Sequence, residues 1–247
     1  MSTDKCHLFR EYNHVMNLSP KDLKQVVVFQ NATDAELQLI LKNSIIRSIE
    51  ENEFFFFQGD SAEYLYILIT GQAKLMQSNP SGQQVNLRTL HPWQMFGALG
   101  AVRAEAIYPA TAQALEDSSA LAIESGFLHK LLETSPKISF DLMTLMTSYI
   151  QEMQARYREL ATERVEQRVA NALIRLVGQS GIRAEKDAGI ELSFSRQDVA
   201  EMTGTTLYTV SRLLSEWERQ GLIKTGREKI KILKPHDLVR IAEGLEK

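Results

Sequence analysis

Residues 195–222 limit what this chain can fold into more than any other stretch, because they predict two short helices joined by a tight turn. Ser195 is placed to cap the first helix, and Asp198, three residues later, completes a partial capping box. This helix extends to Met202, and Gly204 then supplies the turn. The pattern is typical of a helix-turn-helix.

The second helix of the motif has an apolar face and an outward face. Thr205 or Thr206 caps it, and Gly221 ends it. The apolar residues that recur at helical spacing and face inward are Val210, Leu213, Leu214 and Trp217. The outward positions near its start are Thr206, Leu207, Tyr208, Ser211 and Arg212. In a helix-turn-helix, such positions enter the major groove of DNA.

Two short alternating segments follow the motif and predict a pair of strands. Residues 222–224 and 229–232 lie on either side of Gly226, as in the wing of a winged helix. A pair of short helices with a central glycine would also suit an ordinary helical core. The wing favours the DNA-binding interpretation over that alternative.

Charge is divided unevenly along the chain. Residues 164–247 hold 15 Lys and Arg against 12 Asp and Glu, whereas residues 1–163 hold 13 against 19. The net charge of −3 therefore hides a basic C-terminal part. The basic residues around the motif are Arg196, Arg212, Arg219, Lys224, Arg227, Lys229, Lys231 and Lys234. A patch that can meet phosphates is the first requirement for DNA affinity.

The chain as a whole has the length and composition of a two-domain globular protein. It has 247 residues, 44% of them hydrophobic, with no apolar run of roughly 18–20 residues that could span a bilayer. The single cysteine, Cys6, excludes an intramolecular disulfide framework. The first residues show no signal-peptide core, so we expect a cytoplasmic protein that does not bind membranes. No nucleophile elbow, phosphate-binding glycine loop or metal-ligand spacing is present, which argues against an enzyme.

Before the motif, the hydrophobic period changes twice. Residues 23–45 have helical spacing, with Thr33 as a cap, and from Ile45 the period becomes two. The predicted strands are Phe54–Phe57, buried on both faces, then Tyr64–Ile69, Ala73–Met76, Val85–Leu90, Thr111–Leu115 and Ser119–Ile123. Residues 79–82 predict a hairpin turn. Many short strands separated by turns indicate a β-sandwich, jelly roll or barrel.

After Pro136 the period returns to 3.6, and residues 137–177 contain no Gly or Pro, so at least one helix is long. Its apolar stripe includes Leu142, Met146, Tyr149, Met153, Tyr157 and Leu160. The stripe could lie against its own domain or form a coiled-coil seam with a second copy. We favour the seam as a homodimer interface, because a two-fold dimer presents two recognition helices to a palindrome.

A roll, a long helix and a winged helix, in this order, resemble the catabolite-activator/fumarate-nitrate-reductase-regulator (CRP/FNR) superfamily over nearly the whole chain. The residues that carry the resemblance are 57–60, 65–68, 71–75, 96–100, 195–200 and 209–214. The resemblance implies an α+β fold with an N-terminal double-stranded β-roll (a jelly roll), a long dimerisation helix and a C-terminal winged helix-turn-helix. We assign these to residues 1–135, 136–164 and 165–247.

The resemblance implies an effector-responsive transcription regulator. Its partners would be double-stranded DNA, a second copy of the chain, RNA polymerase and a small-molecule effector. The alternative is a regulatory module that senses a small ligand through the roll without binding DNA. The basic wing and Arg212 argue against that alternative.

The resemblance also places an effector site in the roll, at Phe96, Gly97, Ala98, Leu99, Tyr108, Pro109, Ala110 and Thr111. Family members that bind cyclic AMP carry a Glu where this chain has Ala98. They also carry an Arg-Ser or Arg-Thr pair at positions that correspond to residues 107–111 of this chain. That Glu accepts from the ribose, and that Arg neutralises the phosphate. This chain has no basic residue there. Because an unpaired buried phosphate is prohibitively costly, we expect that the effector is not cyclic AMP.

Residues 108–114 are similar to the nitric-oxide-responsive, denitrification-type branch, which has been associated with haem. A haem iron would need an axial ligand, and the candidates are Cys6, His7, His14, His91 and His129. The iron–sulfur sensors of the family need a cluster of four thiolates, which a single cysteine cannot supply.

The resemblance assigns roles to the helix-turn-helix residues. Arg212 matches an Arg that donates to guanine O6 and N7, whereas Tyr208 stands where the best-known members have a Glu that accepts from cytosine. Ser195 and Gln197 match residues that contact phosphate. The full predicted DNA-binding set is Ser195, Arg196, Gln197, Thr206, Leu207, Tyr208, Ser211 and Arg212.

Overall fold

The computed structural model describes residues 18–79, 84–98, 106–180, 189–192, 194–226 and 229–245. The chain forms two compact units, Met1–Ile150 and Gln151–Lys247. Most of the hairpin turn predicted at residues 79–82 lies outside the described residues. Each unit is built around its own hydrophobic core.

The first unit begins with two short helices, α1 (Pro20–Leu23) and α2 (Asp34–Lys42), with a turn of 3₁₀ helix at Val27–Phe29 between them. The predicted role of Thr33 as a helix cap is confirmed. Its side chain accepts from the Glu36 backbone N–H at 3.3 Å, and the Glu36 carboxylate accepts from the Thr33 backbone N–H at 2.7 Å. This reciprocal pair fixes where α2 begins.

Eight strands then form two antiparallel four-stranded sheets, which confirms the predicted jelly roll. The first sheet has the order β1 (Ser44–Ile49), β8 (Ser118–Glu124), β3 (Tyr64–Thr70) and β6 (Met95–Phe96). The second has the order β2 (Phe54–Phe56), β7 (Thr111–Ala114), β4 (Ala73–Ser78) and β5 (Gln84–Leu90). The strands that sequence periodicity missed include β6, which is only two residues long.

Strand β3 is buried on both faces, and its side chains divide between two cores. Leu65 and Ile67 pack with the N-terminal helices, whereas Tyr66 and Leu68 pack in a second core with residues of both sheets. The predicted four-residue Phe strand is shorter than expected. Phe57 lies beyond the end of β2 and is 40% exposed, because the backbone turns there through residues 58–60.

Three helices follow the roll: α3 (Ser125–Thr134), α4 (Pro136–Thr162) and α5 (Val165–Ser180). The 27 residues of α4 make a helix of about 40 Å. Leu142, predicted for a dimer seam, is only 5% exposed and belongs to the core of its own unit. A stripe at helical spacing does not reveal which of its residues the protein's own core covers. No helix among the described residues is long and apolar enough to cross a membrane.

A break of two residues, Glu163 and Arg164, separates α4 from α5, and four hydrogen bonds cross it. Arg175 Nη1 donates to both carboxylate oxygens of Glu159, at 2.7 and 2.8 Å. Asn171 Nδ2 donates to Glu163 Oε2 at 2.9 Å, and Arg168 Nη1 donates to the Glu163 carbonyl at 3.0 Å. We call this joint the elbow.

The second unit is a winged helix. Its remaining helices are α6 (Arg196–Thr203), α7 (Leu207–Arg219) and α8 (Pro235–Ala242). Its three-stranded sheet has the order β10 (Ile223–Gly226), β11 (Lys229–Ile232) and β9 (Ile190–Leu192). Trp217 is completely buried at the centre of the core, with Val210 and Leu214. The helix pair and the wing predicted from the sequence are confirmed, whereas α8 and β9 had not been predicted.

Candidate nucleic-acid interface

Ser195 sets the start of the first helix of the motif, as predicted. Its Oγ accepts from the Asp198 backbone N–H at 3.1 Å and donates to Asp198 Oδ2 at 2.6 Å. The Ser195 backbone N–H donates to the same Oδ2 at 3.0 Å. The single hydroxyl proton of Ser195 is therefore used by the capping box.

The turn between the two helices depends on Gly204, which ends α6 with a φ of +60°. A side chain is strained in this left-handed conformation, and a Cβ here would lie 3.1 Å from Leu160 Cδ2. Thr206, not Thr205, is the cap of α7, because its hydroxyl accepts from the Thr209 backbone N–H at 3.2 Å. The turn and the cap together fix the angle at which α7 leaves α6.

The recognition helix α7 presents its predicted contact residues to solvent. Tyr208 is 78% exposed and Leu207 46% exposed, and Arg212 is also exposed. Ser211 is half-buried. Neither Tyr208 nor Arg212 makes a hydrogen bond or ion pair with any residue in the described ranges. Since they are four residues apart, their side chains lie on one face of the helix, where both are available to a ligand.

The predicted DNA-binding residues at the start of α6 are partly occupied by bonds within the protein. The exposed Gln197 donates from Nε2 to Glu201 Oε1 at 2.9 Å. Arg196 donates from Nη2 to Thr225 Oγ1 in the wing at 3.2 Å. A cavity of about 290 Å³ lies between the wing and the starts of both helices; Ser195, Arg196, Gln197, Leu207, Thr225 and Gly226 contribute to its lining.

The basic patch is partly neutralised by carboxylates of the same unit. Lys229 Nζ contacts Glu191 Oε1 at 2.6 Å, and this hydrogen bond and charge lower the pKa of Glu191. Arg219 pairs with Glu216. The predicted cations that make no ion pair within the described residues are Arg196, Arg212, Lys224, Lys231 and Lys234. Arg227 lies outside the described residues.

In the roll, the predicted effector residues come together as a packed aromatic cluster. Phe96 and Tyr108 are 2% and 3% exposed, and the Tyr108 ring stacks on Phe56 with centroids 3.7 Å apart. The Tyr108 hydroxyl donates to the Tyr64 carbonyl at 2.7 Å and accepts from the Tyr64 backbone N–H at 3.1 Å. Burial raises the pKa of Tyr108. Tyr108 is therefore packed and hydrogen-bonded within the roll itself.

The other predicted effector residues surround that cluster. Gly97 has a φ of +75°, and a Cβ there would lie 3.2 Å from Tyr108 Cε1. Ala98 and Ala110 are buried. The exposed Pro109 accepts from Gln77 through its carbonyl, and Thr111 Oγ1 accepts from the Gln58 backbone N–H. Leu99 lies outside the described residues.

Two arginines of the roll were not identified from the sequence. Arg47 donates to the Tyr66 hydroxyl at 2.8 Å, and its guanidinium lies 4.2 Å from the centre of the Tyr64 ring. The Arg88 guanidinium lies 4.2 Å from the centre of the Tyr149 ring on α4. Strand pairing brings Arg47 to the tyrosines of β3, and packing of α4 on the roll brings Tyr149 to Arg88. These residues are far apart in sequence, so no local pattern could have revealed the contacts.

Arg88 and His91 carry buried polar atoms that the described residues leave without a hydrogen bond. Within those residues, Arg88 Nε and His91 Nε2 have no hydrogen-bond partner. Burial, and then the charge of Arg88, lower the pKa of His91, so its imidazole is neutral at pH 7. Buried polar groups are nearly always hydrogen-bonded, which makes this pair a place where a bound molecule could contribute the missing partners.

Of the candidate haem ligands, the structure describes His91 and His129. His129 lies on α3 with Nε2 buried and unpartnered, and His91 follows β5. Cys6, His7 and His14 lie outside the described residues. Within the described ranges, no three His, Cys, Asp or Glu side chains form a group that could hold a metal ion.

The exposed apolar side chains of α4 form a row along the helix. Its members are Phe140, Met143, Ile150, Met153, Tyr157 and Leu160, each 53–75% exposed. Three of them were predicted for the dimer seam; Met146 and Tyr149 are instead half-buried, and Met146 packs on the core of its own unit. We call these six residues the apolar row. A monomeric protein rarely exposes so many large apolar side chains together.

A jelly roll, a long helix with an exposed apolar row and a winged helix with an open recognition helix define a two-domain protein of the DNA-binding class. The sequence matches the family models of the cyclic nucleotide-binding domain, at residues 46–135, and of the Crp-like helix-turn-helix domain, at residues 167–241. The chain belongs to the CRP/FNR family of transcription regulators.

Relatives are similar over most of their length. The chain is 26% identical over 223 residues to the cyclic AMP receptor protein of Thermus thermophilus, covering 90% of this chain and 100% of that protein. It is 27% identical over 199 residues to the global nitrogen regulator of Nostoc sp., covering 79% and 88%. The structure of FixK2 from Bradyrhizobium japonicum has a TM-score of 0.70 at 21% identity, covering 80% and 96%, and supports the fold.

Proposed function

We propose that this DNA-binding regulator is a homodimer that binds a palindromic operator under the control of a small ligand in its roll. The observation that carries the proposal is the face of α7 on which Tyr208 and Arg212 are exposed and unpartnered within the described residues. Two such helices, related by a two-fold axis, would meet half-sites about 34 Å apart.

The apolar row supports the dimer. Its members recur at spacings of three, four and seven residues, as in the seam of a two-stranded coiled coil. Burying these side chains against a second copy removes from water the largest exposed apolar side chains of α4. We therefore place the seam on the apolar row rather than on the stripe that begins at Leu142.

Arg212 is the proposed base-reading residue. A free guanidinium on the exposed face of α7 can donate two hydrogen bonds to O6 and N7 of a guanine. Tyr208 can contact a thymine methyl group or a phosphate but cannot replace a carboxylate that accepts from cytosine. The operator should therefore share a guanine with those of the better-known relatives and differ elsewhere in the half-site.

The proposed effector is a small molecule other than cyclic AMP. Ala98 cannot accept from a ribose hydroxyl, residues 107–111 contain no cation, and Tyr108 and Phe56 fill the adjoining space. Arg88 and His91 offer unsatisfied polar atoms at a different place, and Arg88 touches Tyr149 of α4. A ligand bound there would act directly on the helix that carries the apolar row, which is how binding could alter the dimer.

The test is a selection from a randomised duplex library with the purified full-length protein, combined with sedimentation of the protein and its complex. We expect a palindrome with a guanine in each half-site, bound by a dimer. If the selection enriches no sequence, the result would support the alternative of a sensor module that does not bind DNA. Run-off transcription on the selected operator then shows whether RNA polymerase is activated or blocked.

The effector is tested separately. Isothermal titration with cyclic AMP should show no saturable binding below about 10 μM, roughly −7 kcal/mol. The absorption spectrum and mass spectrum of protein purified without oxygen should identify what the roll carries. A Soret band would identify haem, with His91 and His129 as the described candidates for its axial ligand.

A further inference from the structure

Three side chains join the wing to both helices of the helix-turn-helix. Arg196 Nη2 donates to Thr225 Oγ1 at 3.2 Å. The Thr225 hydroxyl donates in turn to Glu218 Oε2 at 2.9 Å, and the Thr225 backbone N–H donates to Glu218 Oε1 at 2.7 Å. We call Arg196, Thr225 and Glu218 the wing clamp.

The chemistry of the wing clamp fixes the direction of each bond. A guanidinium only donates and an ionised carboxylate only accepts, so the single hydroxyl proton of Thr225 goes to Glu218. The Thr225 oxygen is then free to accept from Arg196. The hydrogen bonds from Thr225 lower the pKa of Glu218, and the charges of Arg196 and Lys224 lower it further. The carboxylate is therefore ionised at neutral pH, as the clamp requires.

Each residue of the wing clamp belongs to a different element of the DNA-binding surface. Arg196 is the first residue of α6, Glu218 is the last but one of α7, and Thr225 lies in β10, the first strand of the wing. Arg196 and Thr225 also line the cavity between the wing and the helices. The Thr225 hydroxyl accepts from Arg196 of α6 while it donates to Glu218 of α7.

Thr225 differs from the cations around it in what it can do. Lys224 lies on the same strand and can attract a phosphate by its charge and donate hydrogen bonds to it. Thr225 carries no charge, yet it holds one cation, Arg196, and one strand of the wing at fixed distances from the recognition helix. Its contribution to DNA binding would therefore be geometric.

We propose that Thr225 is a positioning residue for DNA backbone recognition, holding Arg196 and the wing where both meet phosphates once α7 lies in the major groove. The proposal rests on the proposed function, because it assumes that α7 enters that groove. Thr225 reads no base itself. It determines how many phosphates each protomer neutralises.

The experiment compares the wild type with Thr225→Val, Thr225→Ser and Glu218→Gln in the full-length protein. Valine keeps the shape and the backbone N–H but loses the hydroxyl, and serine keeps the hydroxyl. Glutamine at position 218 has only one accepting oxygen, so it can accept only one of the two hydrogen bonds that Thr225 donates to Glu218. Each protein is titrated with the selected operator and with a random duplex of equal length across a series of KCl concentrations. Thermal unfolding of each variant establishes that it is folded.

We expect the salt slope of Thr225→Val to become shallower by about 0.9 for each protomer, the value of one lost phosphate contact, on both duplexes. Base preference in the library selection should not change. Thr225→Ser should restore the wild-type slope, and Glu218→Gln should reproduce the loss although Thr225 and Arg196 are intact.

An unchanged slope in Thr225→Val, or a loss confined to the operator, would overturn the proposal. So would tighter binding by Glu218→Gln, because Glu218 would then act only as a negative charge that repels DNA. The random duplex keeps the two proposals separable. If the wild type selects no palindrome, the proposed function fails, while the slope on random DNA still reports on the wing clamp.

Discussion

The roll and the winged helix use their polar and aromatic side chains in opposite ways. In the roll, Tyr108 and Tyr66 are buried and hydrogen-bonded to other residues of the roll. In the winged helix, Tyr208 and Arg212 are exposed, and no residue in the described part of the chain pairs with them. The comparison shows that the two domains of one chain can differ in how many of their polar side chains remain available to a ligand. One surface is ready to bind, and the other is largely satisfied by the protein itself.

The largest effect is expected from a substitution in α4, the helix that crosses the boundary between the two units. Met153→Glu places like charges across the proposed seam, and we expect operator binding to weaken on the order of 100-fold, about 2.7 kcal/mol. Sedimentation should show a shift toward monomer. Ser148→Glu adds the same charge at an exposed position off the apolar row and should change neither property. A wild type that sediments as a monomer yet binds a palindrome tightly would contradict the seam.

A smaller effect is expected where the winged helix meets DNA. Arg212→Ala should cost about 1–3 kcal/mol for each guanine contact and should flatten the preference at that base pair alone. The measurement is a library selection with each variant. Arg219→Ala is the matched control, because Arg219 also lies on α7 but pairs with Glu216. If Arg212→Ala keeps its guanine preference, another residue reads that base.

The matched tyrosines of the two regions sharpen the contrast further. Tyr108→Phe removes a hydroxyl that bonds to both backbone groups of Tyr64, so it should lower the free energy of unfolding by about 1–3 kcal/mol. Tyr208→Phe changes a side chain that is 78% exposed and should alter that free energy by less than about 0.5 kcal/mol. Urea titration measures both. Equal losses would show that the roll is no more tightly satisfied than the recognition helix.

The smallest expected effect comes from the two capping boxes, one in each unit. Ser195→Ala and Thr33→Ala should each lower the free energy of unfolding by about 0.5–2 kcal/mol, because each leaves a helix N–H without its partner. Only Ser195→Ala should also weaken DNA binding, evenly across sequences, since Ser195 is the cap that starts a DNA-facing helix. A change in base preference in that variant would show that Ser195 helps to read the sequence.

The parts of the fold that could be predicted from the sequence are those that depend on neighbouring residues. The cap at Ser195, the left-handed turn at Gly204 and the inward face of α7 follow from spacings of a few residues, and the structure has each of them. The buried face of α4 at Leu142 could not be predicted, because it depends on which surface of the roll packs against that helix.

The roll was harder to predict for the same reason. Arg47 meets Tyr64 and Tyr66, and Arg88 meets Tyr149, only after strands and helices that are far apart in sequence have come together. The motif around Tyr108 predicts effector positions, but it could not predict that the Tyr108 ring stacks on Phe56. Periodicity records which side of a strand is apolar and carries no information about its partner.

The elbow has a mechanical consequence. Two hydrogen bonds from Arg175 tie the last turn of α4 to α5, and two more tie Glu163, in the break, to α5. Arg168 also donates to the carbonyl of Thr203 at the end of α6. We expect a joint bonded at this many points to resist bending. The end of α4 within the second unit and the helix-turn-helix should therefore turn together as one body.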